Sequence, residues 1–427
     1  MLKIDRDPRK GRCAVAAEPI PAHMVRINCD CALYSAFIPA VLQTLWTERP
    51  LVFQQLLDSV TLCACCTNCL AFVGPLRRQF LCLSAPPCEL DLFWSSSVGL
   101  SVTAVCEAPL PMLADDDQDE PLVICEACKS AYCSAACMKN DEAHKLLCPS
   151  ISSAGEVSWA KLIAFADEHC ETFLLAARCF AVSIQRGLLG EPDSFHAFTQ
   201  PTWWDVVTVP AEEDEPAFRM SLQADAAAAL ELFNEVLCVH PVAEVAVAGT
   251  VSLEAWGHML GCLTQNTLAV VVPNPAAGYL SEVYGLLPHA AAMSASSVLE
   301  PVLRCIVSSA AVREQLEDID EAAADAAATA AGAPATFKVM ETAFKEACAM
   351  KGRKLLKASI AATPPAEGSA LFSTLSCFNH SCVPNCKVQF FENNKAVVTA
   401  LRHIEADEEL TISYVDVDLD AGERTEA

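Results

Sequence analysis

The chain has 427 residues, 53% of them hydrophobic, and its 28 Lys and Arg against 54 Asp and Glu give a formal net charge of −26. This amount of apolar side chain can bury a sizeable core, so a chain that is disordered throughout is excluded. Binding to phosphates needs clustered Lys and Arg, so the acidic balance argues against direct binding of nucleic acid. It favours a basic, Lys-rich partner instead.

Residues 1–7 lack the apolar segment of a secretory signal peptide, and no run of about 18 uncharged apolar residues occurs that could cross a membrane. The most apolar stretch, 173–189, is interrupted by Arg178 and Arg186. The sequence therefore predicts an intracellular protein of the cytoplasm, the nucleus or both, with no membrane partner. Its 24 cysteines would stay reduced there, and clustered reduced cysteines bind metal more often than they form disulfides.

Hydrophobic spacing predicts short strands at the two ends of the chain and helices in its middle. A helix is predicted at 37–46, a strand at 265–272 and a hairpin turn at 392–394. The chain divides into seven segments. The first three are strands at 1–62, a cysteine-rich segment with a long insert at 63–148, and helices at 149–260. The rest are strands at 261–294, an Ala-rich helical insert at 295–366, strands at 367–416 and an acidic tail at 417–427. Either the β-rich ends fold together across the helical insertion, or they form separate domains.

Eight Cys and His residues have the spacing of zinc ligands. A C-x2-C turn lets two thiolates reach one ion at about 2.3 Å, and such turns occur at 66–69 and 125–128. The interval 133–148 suits a short helical hairpin, because residues four apart share one face of a helix. The segment 132–137, Y-C-S-A-A-C, resembles the MYND-type zinc finger. Two Zn2+ ions with interleaved ligands are therefore expected, one bound by Cys66, Cys69, Cys133 and Cys137 and the other by Cys125, Cys128, His144 and Cys148.

Two alternatives to this zinc finger stay open at the level of sequence. The cysteines are either ligands, buried structural thiols or a redox C-x-x-C, and Cys63 and Cys65 compete with Cys66 and Cys69 for the first pair. A closed site of four protein ligands has no open position for a substrate. Zinc bound in this way would contribute to folding and perform no chemistry.

A second group of motifs lies near the end of the chain. The segment 379–385 reads N-H-S-C-V-P-N, and the segment 408–414 reads E-E-L-T-I-S-Y. Taken singly they predict a capped turn and an edge tyrosine. Together they resemble the C-terminal motifs of the SET domain, a β-rich α+β fold with a pseudo-knot. At the other end of the chain, Lys10-Gly11-Arg12 resembles the first SET motif, with Cys13 where a second glycine is usual.

A SET domain split by a MYND finger, with helical inserts, resembles the SET-and-MYND lysine methyltransferases. The finger insert and the segments 367–372 and 392–394 look most like the type 5 members of that family. The resemblance implies methyl transfer from S-adenosylmethionine to lysines of histones, in chromatin, or of other Lys-rich proteins. We expect a monomer. It implies cofactor contacts from Lys10, Gly11, Arg12, Asn379, His380 and Tyr414. It also implies a catalytic role for Tyr414.

The segment 265–268 resembles the N-S-F-T strand of the same family, which adds Asn266 to the implied cofactor contacts; a strand-edge amide is the alternative. Family members continue into a post-SET segment whose cysteines bind a further zinc with the motif cysteine. Here no cysteine follows Cys386, so Cys382 is expected to be an inert thiol. Because the post-SET cysteines are missing from this sequence, we expect either weak cofactor binding or a truncated chain. The alternative function is a non-catalytic interaction module whose finger docks a proline-containing peptide.

Overall fold

The computed structural model describes residues 2–7, 11–20, 44–74, 76, 79, 123–148, 153–191, 195, 198, 201–240, 251–281, 363–391 and 394–415. Lys10, most of the finger insert and the Ala-rich helical insert therefore lie outside the described residues. The strands are β1 Leu2–Asp7, β2 Gly11–Ala16, β3 Thr44–Glu48, β4 Val52–Gln55, β5 Val123–Ile124, β6 Ala131–Tyr132, β7 Thr267–Val272, β8 Ala366–Leu371, β9 Asn379–His380, β10 Cys386–Phe391, β11 Lys395–Ala400 and β12 Thr411–Ile412. The helices are α1 Leu57–Leu62, α2 Ala135–Lys139, α3 Glu142–Leu147, α4 Ser153–Glu168, α5 Thr172–Leu188, α6 Trp203–Val206, α7 Glu215–Cys238 and α8 Leu253–Asn266, with a 3-10 turn at Leu375–Cys377.

The two β-rich ends of the chain fold together. Strand β3 pairs with β11 in the sheet β10-β11-β3, and β4 pairs with β8 in the sheet β4-β8-β7. Strand β2 continues this association, because Ala16 N donates to Glu408 O at 2.9 Å and Leu410 N donates to Ala14 O at 2.8 Å. One buried apolar cluster joins both ends, with Phe53 from the first and Phe372 and Val398 from the second. Of the two arrangements left open by the sequence, the structure shows the joined one.

Helices α4, α5, α7 and α8 form a second core around aromatic side chains. The ring centroids of Phe233 and Trp256 are 5.3 Å apart and those of Phe180 and Trp256 are 5.7 Å apart, both stacked. A Cβ at Gly261 would lie 1.9 Å from the carbonyl oxygen of Pro201, so only glycine permits this approach. The mixed α+β class predicted for the chain is confirmed. Among the described residues, no helix combines the length and the apolarity that crossing a membrane requires.

The finger contains the hairpin β5–β6 and the predicted helical hairpin, α2 and α3. Each helix begins at a side-chain cap: Ser134 Oγ accepts from Cys137 N at 3.1 Å, and Asp141 Oδ1 accepts from His144 N at 3.0 Å. Helix α3 packs on α5, where Arg178 donates to Asp141 at 3.3 Å. These contacts attach the finger to the helical core.

Two predicted elements are wrong in their bounds. The helix predicted at 37–46 is wrong for Thr44 to Trp46, which belong to β3, while 37–43 lie outside the described residues. The strand predicted at 265–272 begins at Thr267, because α8 continues through Asn266. Asn266 Nδ2 and Thr267 Oγ1 donate to the carbonyls of Cys262 and Leu263, each at 2.8 Å, which stabilises one more helical turn than the apolar run suggests.

Candidate zinc centres and active site

The first quartet of candidate zinc ligands lies where the finger meets the strands. Cys66 Sγ is 3.5 Å from Cys137 Sγ, and Cys69 Sγ is 3.6 Å from Cys133 Sγ. All four sulfurs lie within 4.8 Å of one another. Zn–S bonds of about 2.3 Å in tetrahedral geometry require sulfurs about 3.8 Å apart, so these four side chains fit one Zn2+ ion.

The second quartet lies between the β5–β6 hairpin and α3. Cys125 Sγ is 3.9 Å from Cys148 Sγ, and Cys128 Sγ is 3.1 Å from His144 Nε2, with the four ligand atoms within 4.8 Å of one another. Burial lowers the pKa of His144, so its imidazole is neutral and offers a lone pair at neutral pH. The structure thus brings the eight predicted ligands together in the interleaved grouping, and their donor atoms fit two zinc ions.

The competing cysteines Cys63 and Cys65 do not reach either quartet. Cys63 Sγ donates to the carbonyl oxygens of Pro364 and Pro365 at 3.6 and 3.4 Å, ahead of strand β8. Cys65 packs in the core shared by the two chain ends, whereas Cys66 packs in the finger. The choice that the sequence left open therefore falls on Cys66 and Cys69.

Polar contacts attach the first quartet to the β10–β11 hairpin. Asn68 Nδ2 donates to the carbonyl oxygen of Cys137 at 3.0 Å and lies 3.4 Å from its sulfur. Asn394, which is 3% exposed and has a left-handed φ of 45°, donates from Nδ2 to the carbonyl oxygen of Asn68 at 3.5 Å. Partners of this kind orient metal ligands. The ligand geometry and the strand core are therefore coupled through the hairpin tip.

The two C-terminal motifs lie side by side, because β9 pairs in parallel with β12 and places Asn379 opposite Thr411. Asn379 Nδ2 donates to Glu409 Oε1 at 2.7 Å. The backbone N–H of Tyr414 donates to His380 Nδ1 at 3.0 Å, which assigns the proton of a neutral imidazole to Nε2. The phenol hydroxyl of Tyr414 donates to the carbonyl oxygen of Phe378 at 2.8 Å.

A cavity of about 600 Å³ lies against the Tyr414 side chain. Tyr414, Phe378 and Asn266 line it, together with the apolar side chains of Phe390 and Leu401. Tyr414 is 60% exposed, whereas Phe378, which accepts its hydroxyl hydrogen, is 1% exposed. Although more than half of the residue is exposed, partial burial of the phenol raises the pKa of Tyr414, so the hydroxyl keeps its proton near neutral pH.

Of the remaining predicted cofactor contacts, neither Arg12, Asn379 nor His380 is among the described residues that line this cavity. Gly11, at a φ of 77°, is exposed, with no atom within 4 Å of the position that a Cβ would take. The guanidinium of Arg12 stacks 4.4 Å above the Phe198 ring. Lys10 lies outside the described residues.

Arg12 is nevertheless close to the motif that carries Asn379. Strand β2, which carries Arg12, contacts the 3-10 turn Leu375–Cys377. Burial raises the pKa of the Cys377 thiol, and the positive charge of Arg12 opposes that shift. The start of the chain and the turn before Asn379 therefore share one region, as the sequence predicts. The exposed Cys382 Sγ lies 3.3 Å from His380 Nε2, a contact that the sequence did not predict.

Two groups at the site had no sequence signal that pointed to them. The carbonyl of Phe378 is a backbone acceptor, so no residue type at this position encodes its bond to Tyr414. Glu48 accepts from the backbone N–H groups of Thr374 and Leu375, although it is far from them in sequence.

Comparison with known proteins places this site in a family. The SET domain matches residues 114–415, which is most of the chain, so the chain belongs to the SET-domain family. Histone-lysine N-methyltransferase ATXR2 of Arabidopsis thaliana is 27% identical over 350 residues, which cover 74% of this chain and 62% of that protein. Two mouse proteins match shorter segments: protein-lysine N-trimethyltransferase SMYD5 is 57% identical over 51 residues, 12% of each chain, and histone-lysine N-methyltransferase SMYD3 is 44% identical over 57 residues, 13% of each chain.

The predicted resemblance to the SET-and-MYND proteins is confirmed by these matches. The chain spans less than two thirds of the length of ATXR2 and a small part of the other two relatives. The matched residues 114–415 do not include β1 to β4, yet β3 and β4 pair with strands of the matched part, and the separate hairpin β1–β2 bonds to residues 408–410.

Proposed function

We propose that this protein is an S-adenosylmethionine-dependent protein-lysine N-methyltransferase that acts on histones or other Lys-rich proteins. Membership of the SET-domain family and relatives named as lysine methyltransferases support this reaction class. The observation that carries the proposal is the Tyr414 hydroxyl, fixed 2.8 Å from the Phe378 carbonyl at the wall of a cavity of about 600 Å³. The net charge of −26 favours a basic protein substrate.

The residues near the cavity fit the polar groups of the proposed cofactor. Within the described part of the chain, the Arg12 guanidinium donates no hydrogen bond and stacks on Phe198, so its donors can bind a carboxylate. Asn379 Nδ2 is bonded to Glu409, which leaves the amide oxygen of Asn379 as an acceptor for an amine or hydroxyl. When bound, S-adenosylmethionine supplies an electrophilic methyl group attached to a positively charged sulfur.

The cavity would bind the substrate lysine and favour its neutral form. A lysine amine has a pKa near 10.4 in water and is not nucleophilic while protonated. The apolar walls formed by Phe378, Phe390 and Leu401 disfavour the charged ammonium and so lower the pKa of the bound amine. The neutral amine could then present its lone pair to the methyl donor.

Tyr414 would orient the reacting groups rather than remove a proton, because burial raises the pKa of its phenol. Its hydrogen is committed to the Phe378 carbonyl, so the lone pairs of the hydroxyl oxygen point elsewhere. These lone pairs can accept from the substrate amine and make weak C–H···O contacts with a methyl group. Alignment of amine and methyl group is worth up to about 7–11 kcal/mol in such reactions.

Calorimetry with S-adenosylmethionine, followed by methyl transfer to histone peptides, tests the proposal. We expect Tyr414→Phe to lower kcat about 100-fold, because an oriented hydroxyl is lost, while the KM for the cofactor and the zinc content stay unchanged. Tyr279→Phe is the matched control, since Tyr279 is a buried tyrosine that does not line the cavity.

Absence of cofactor binding at high micromolar concentration would contradict the enzyme and leave the alternative, an interaction module whose finger binds a proline-containing peptide. Unchanged turnover in Tyr414→Phe would remove Tyr414 from the site but not the activity from the protein. The two measurements therefore separate the function of the chain from the role of this residue.

A further inference from the structure

The carboxylate of Glu48 holds the turn that precedes Asn379. Glu48 is the last residue of β3, and its Oε1 accepts from Thr374 N at 2.9 Å while its Oε2 accepts from Leu375 N at 3.0 Å. Trp46 Nε1 also donates to Oε2, at 3.2 Å. Glu48 is half-buried and is bonded on both oxygens. A side chain from the start of the molecule therefore fixes the backbone of a turn near its end.

Only a carboxylate with the reach of glutamate satisfies both backbone donors. The first N–H groups of a helical turn have no partner within the turn, so an outside acceptor must supply one. Hydrogen bonds to an ionised acceptor are about twice as strong as neutral ones. A glutamine amide at this position offers one oxygen and one NH2 group. The oxygen would accept from one backbone N–H, but the NH2 group would face the other N–H, so two donors would meet without an acceptor.

The other end of the same turn carries the acceptor of the Tyr414 hydroxyl. Phe378 N donates to the carbonyl oxygen of Leu375 at 3.0 Å, and the carbonyl oxygen of Phe378 accepts from Tyr414 Oη at 2.8 Å. Ser376 Oγ attaches the middle of the turn to the cavity wall, since it donates to the carbonyl oxygen of Asn266 at 2.6 Å. The turn is thus held at both ends and in the middle, and Glu48 holds the end opposite the Phe378 carbonyl.

We infer that Glu48 is a positioning residue for methyl transfer, which acts by holding the Phe378 carbonyl against the hydroxyl of Tyr414. This inference rests on the proposed function and extends it to a residue outside the part of the chain that matches the SET domain. Glu48 does not line the cavity, so it has no role in binding the substrate itself. Its contribution is to kcat through the orientation of one hydroxyl.

A double-mutant cycle with Tyr414 tests this inference. Glu48→Gln should lower kcat about tenfold, because small misplacements of a catalytic group are costly, while the KM for cofactor and peptide changes less than about twofold. If Glu48 acts through the hydroxyl, the double variant with Tyr414→Phe should have the kcat of Tyr414→Phe alone. Multiplicative effects of the two substitutions would overturn the inference. Glu231→Gln, at an exposed glutamate of α7, is the matched control.

Hydrogen exchange supplies a readout that does not depend on activity. The amides of Leu375 and Phe378 should exchange faster in Glu48→Gln than in the wild type, because the first donates to Glu48 and the second closes the same turn, whereas amides of α7 should not change. If Glu48→Gln does not fold, Glu48→Asp replaces it, because the shorter carboxylate reaches at most one of the two donors. Unchanged exchange at Phe378 in a folded variant overturns the inference. An inactive wild type with the expected exchange pattern would instead refute the proposed function.

Discussion

The finger and the cavity proposed as the catalytic cleft are built by opposite routes. In the finger, six of the eight candidate ligands lie between Cys125 and Cys148, and local side-chain caps begin both short helices. In the cleft, Tyr414 depends on the carbonyl of Phe378, and the turn that presents this carbonyl depends on Glu48 from the other end of the chain. A metal site can be assembled from short spacings, whereas a cleft that aligns two substrates needs walls from distant segments.

Loss of one ligand of the first quartet should have the largest effect. We expect Cys137→Ser to lose one zinc ion and to be destabilised by about 4 kcal/mol or more, because structural zinc contributes directly to folding. Elemental analysis and thermal unfolding measure both quantities. Since Asn68 and Asn394 connect this quartet to the β10–β11 hairpin, methyl transfer should fall as well.

The control for this prediction is Cys238→Ser, which replaces an exposed thiol of α7 and should change neither the zinc content nor the stability. Wild-type protein purified without zinc would contradict the metal site. Full zinc content in Cys137→Ser would exclude that cysteine from the ligands. A variant that loses zinc but keeps full activity would show that the finger and the cleft are independent.

The attachment of the finger to the helical core should rank second. Asp141, which is 2% exposed, accepts from Arg178 at 3.3 Å and from the Tyr132 hydroxyl at 3.3 Å in addition to capping α3. Asp141→Ala should cost about 3–5 kcal/mol, because it leaves the largely buried guanidinium of Arg178 without its charge partner. Urea unfolding measures the change. Glu142→Ala, which removes the more exposed ion pair with Arg186, should cost less than about 1 kcal/mol, and equal losses would contradict the ranking.

The pH dependence of the ion pair between Arg402 and Glu408 should be the smallest effect. A hydrogen bond from Arg402 lowers the pKa of Glu408 to about 2, and the two atoms are 2.6 Å apart. Because the pKa of Glu408 is lower in the folded state, its contribution is complete above the ordinary pKa of 4.5 and is lost as the pH falls towards about 2. Both side chains are partly exposed, so the contribution is less than about 1 kcal/mol. Arg402→Met should reduce stability slightly at pH 7 and not at pH 2, as measured by urea unfolding; an equal loss at both values would contradict this.

The two regions also differ in how far the sequence predicted them. The grouping of the zinc ligands, the helical hairpin and the α+β class follow from spacing and periodicity, which report local geometry. The predicted start of the strand at Gln265 is wrong because the side chains of Asn266 and Thr267 donate to carbonyls in the last turn of α8. Hydrophobic periodicity carries no information about such side-chain hydrogen bonds. The helix predicted near Trp46 fails because that segment pairs with β11, a partner far along the chain.

By itself the sequence determined which residues are chemically able to bind zinc and which motifs resemble a SET domain, since both depend on residue types at short intervals. Three contacts were decided by the tertiary structure alone. Cys63 donates to Pro365 rather than joining the finger, and the Tyr414 hydroxyl donates to the Phe378 carbonyl. Glu48 holds the turn that precedes Phe378. The reason is physical: backbone acceptors carry no residue signature, and contacts between remote segments form only when the sheets and the core bring those segments together.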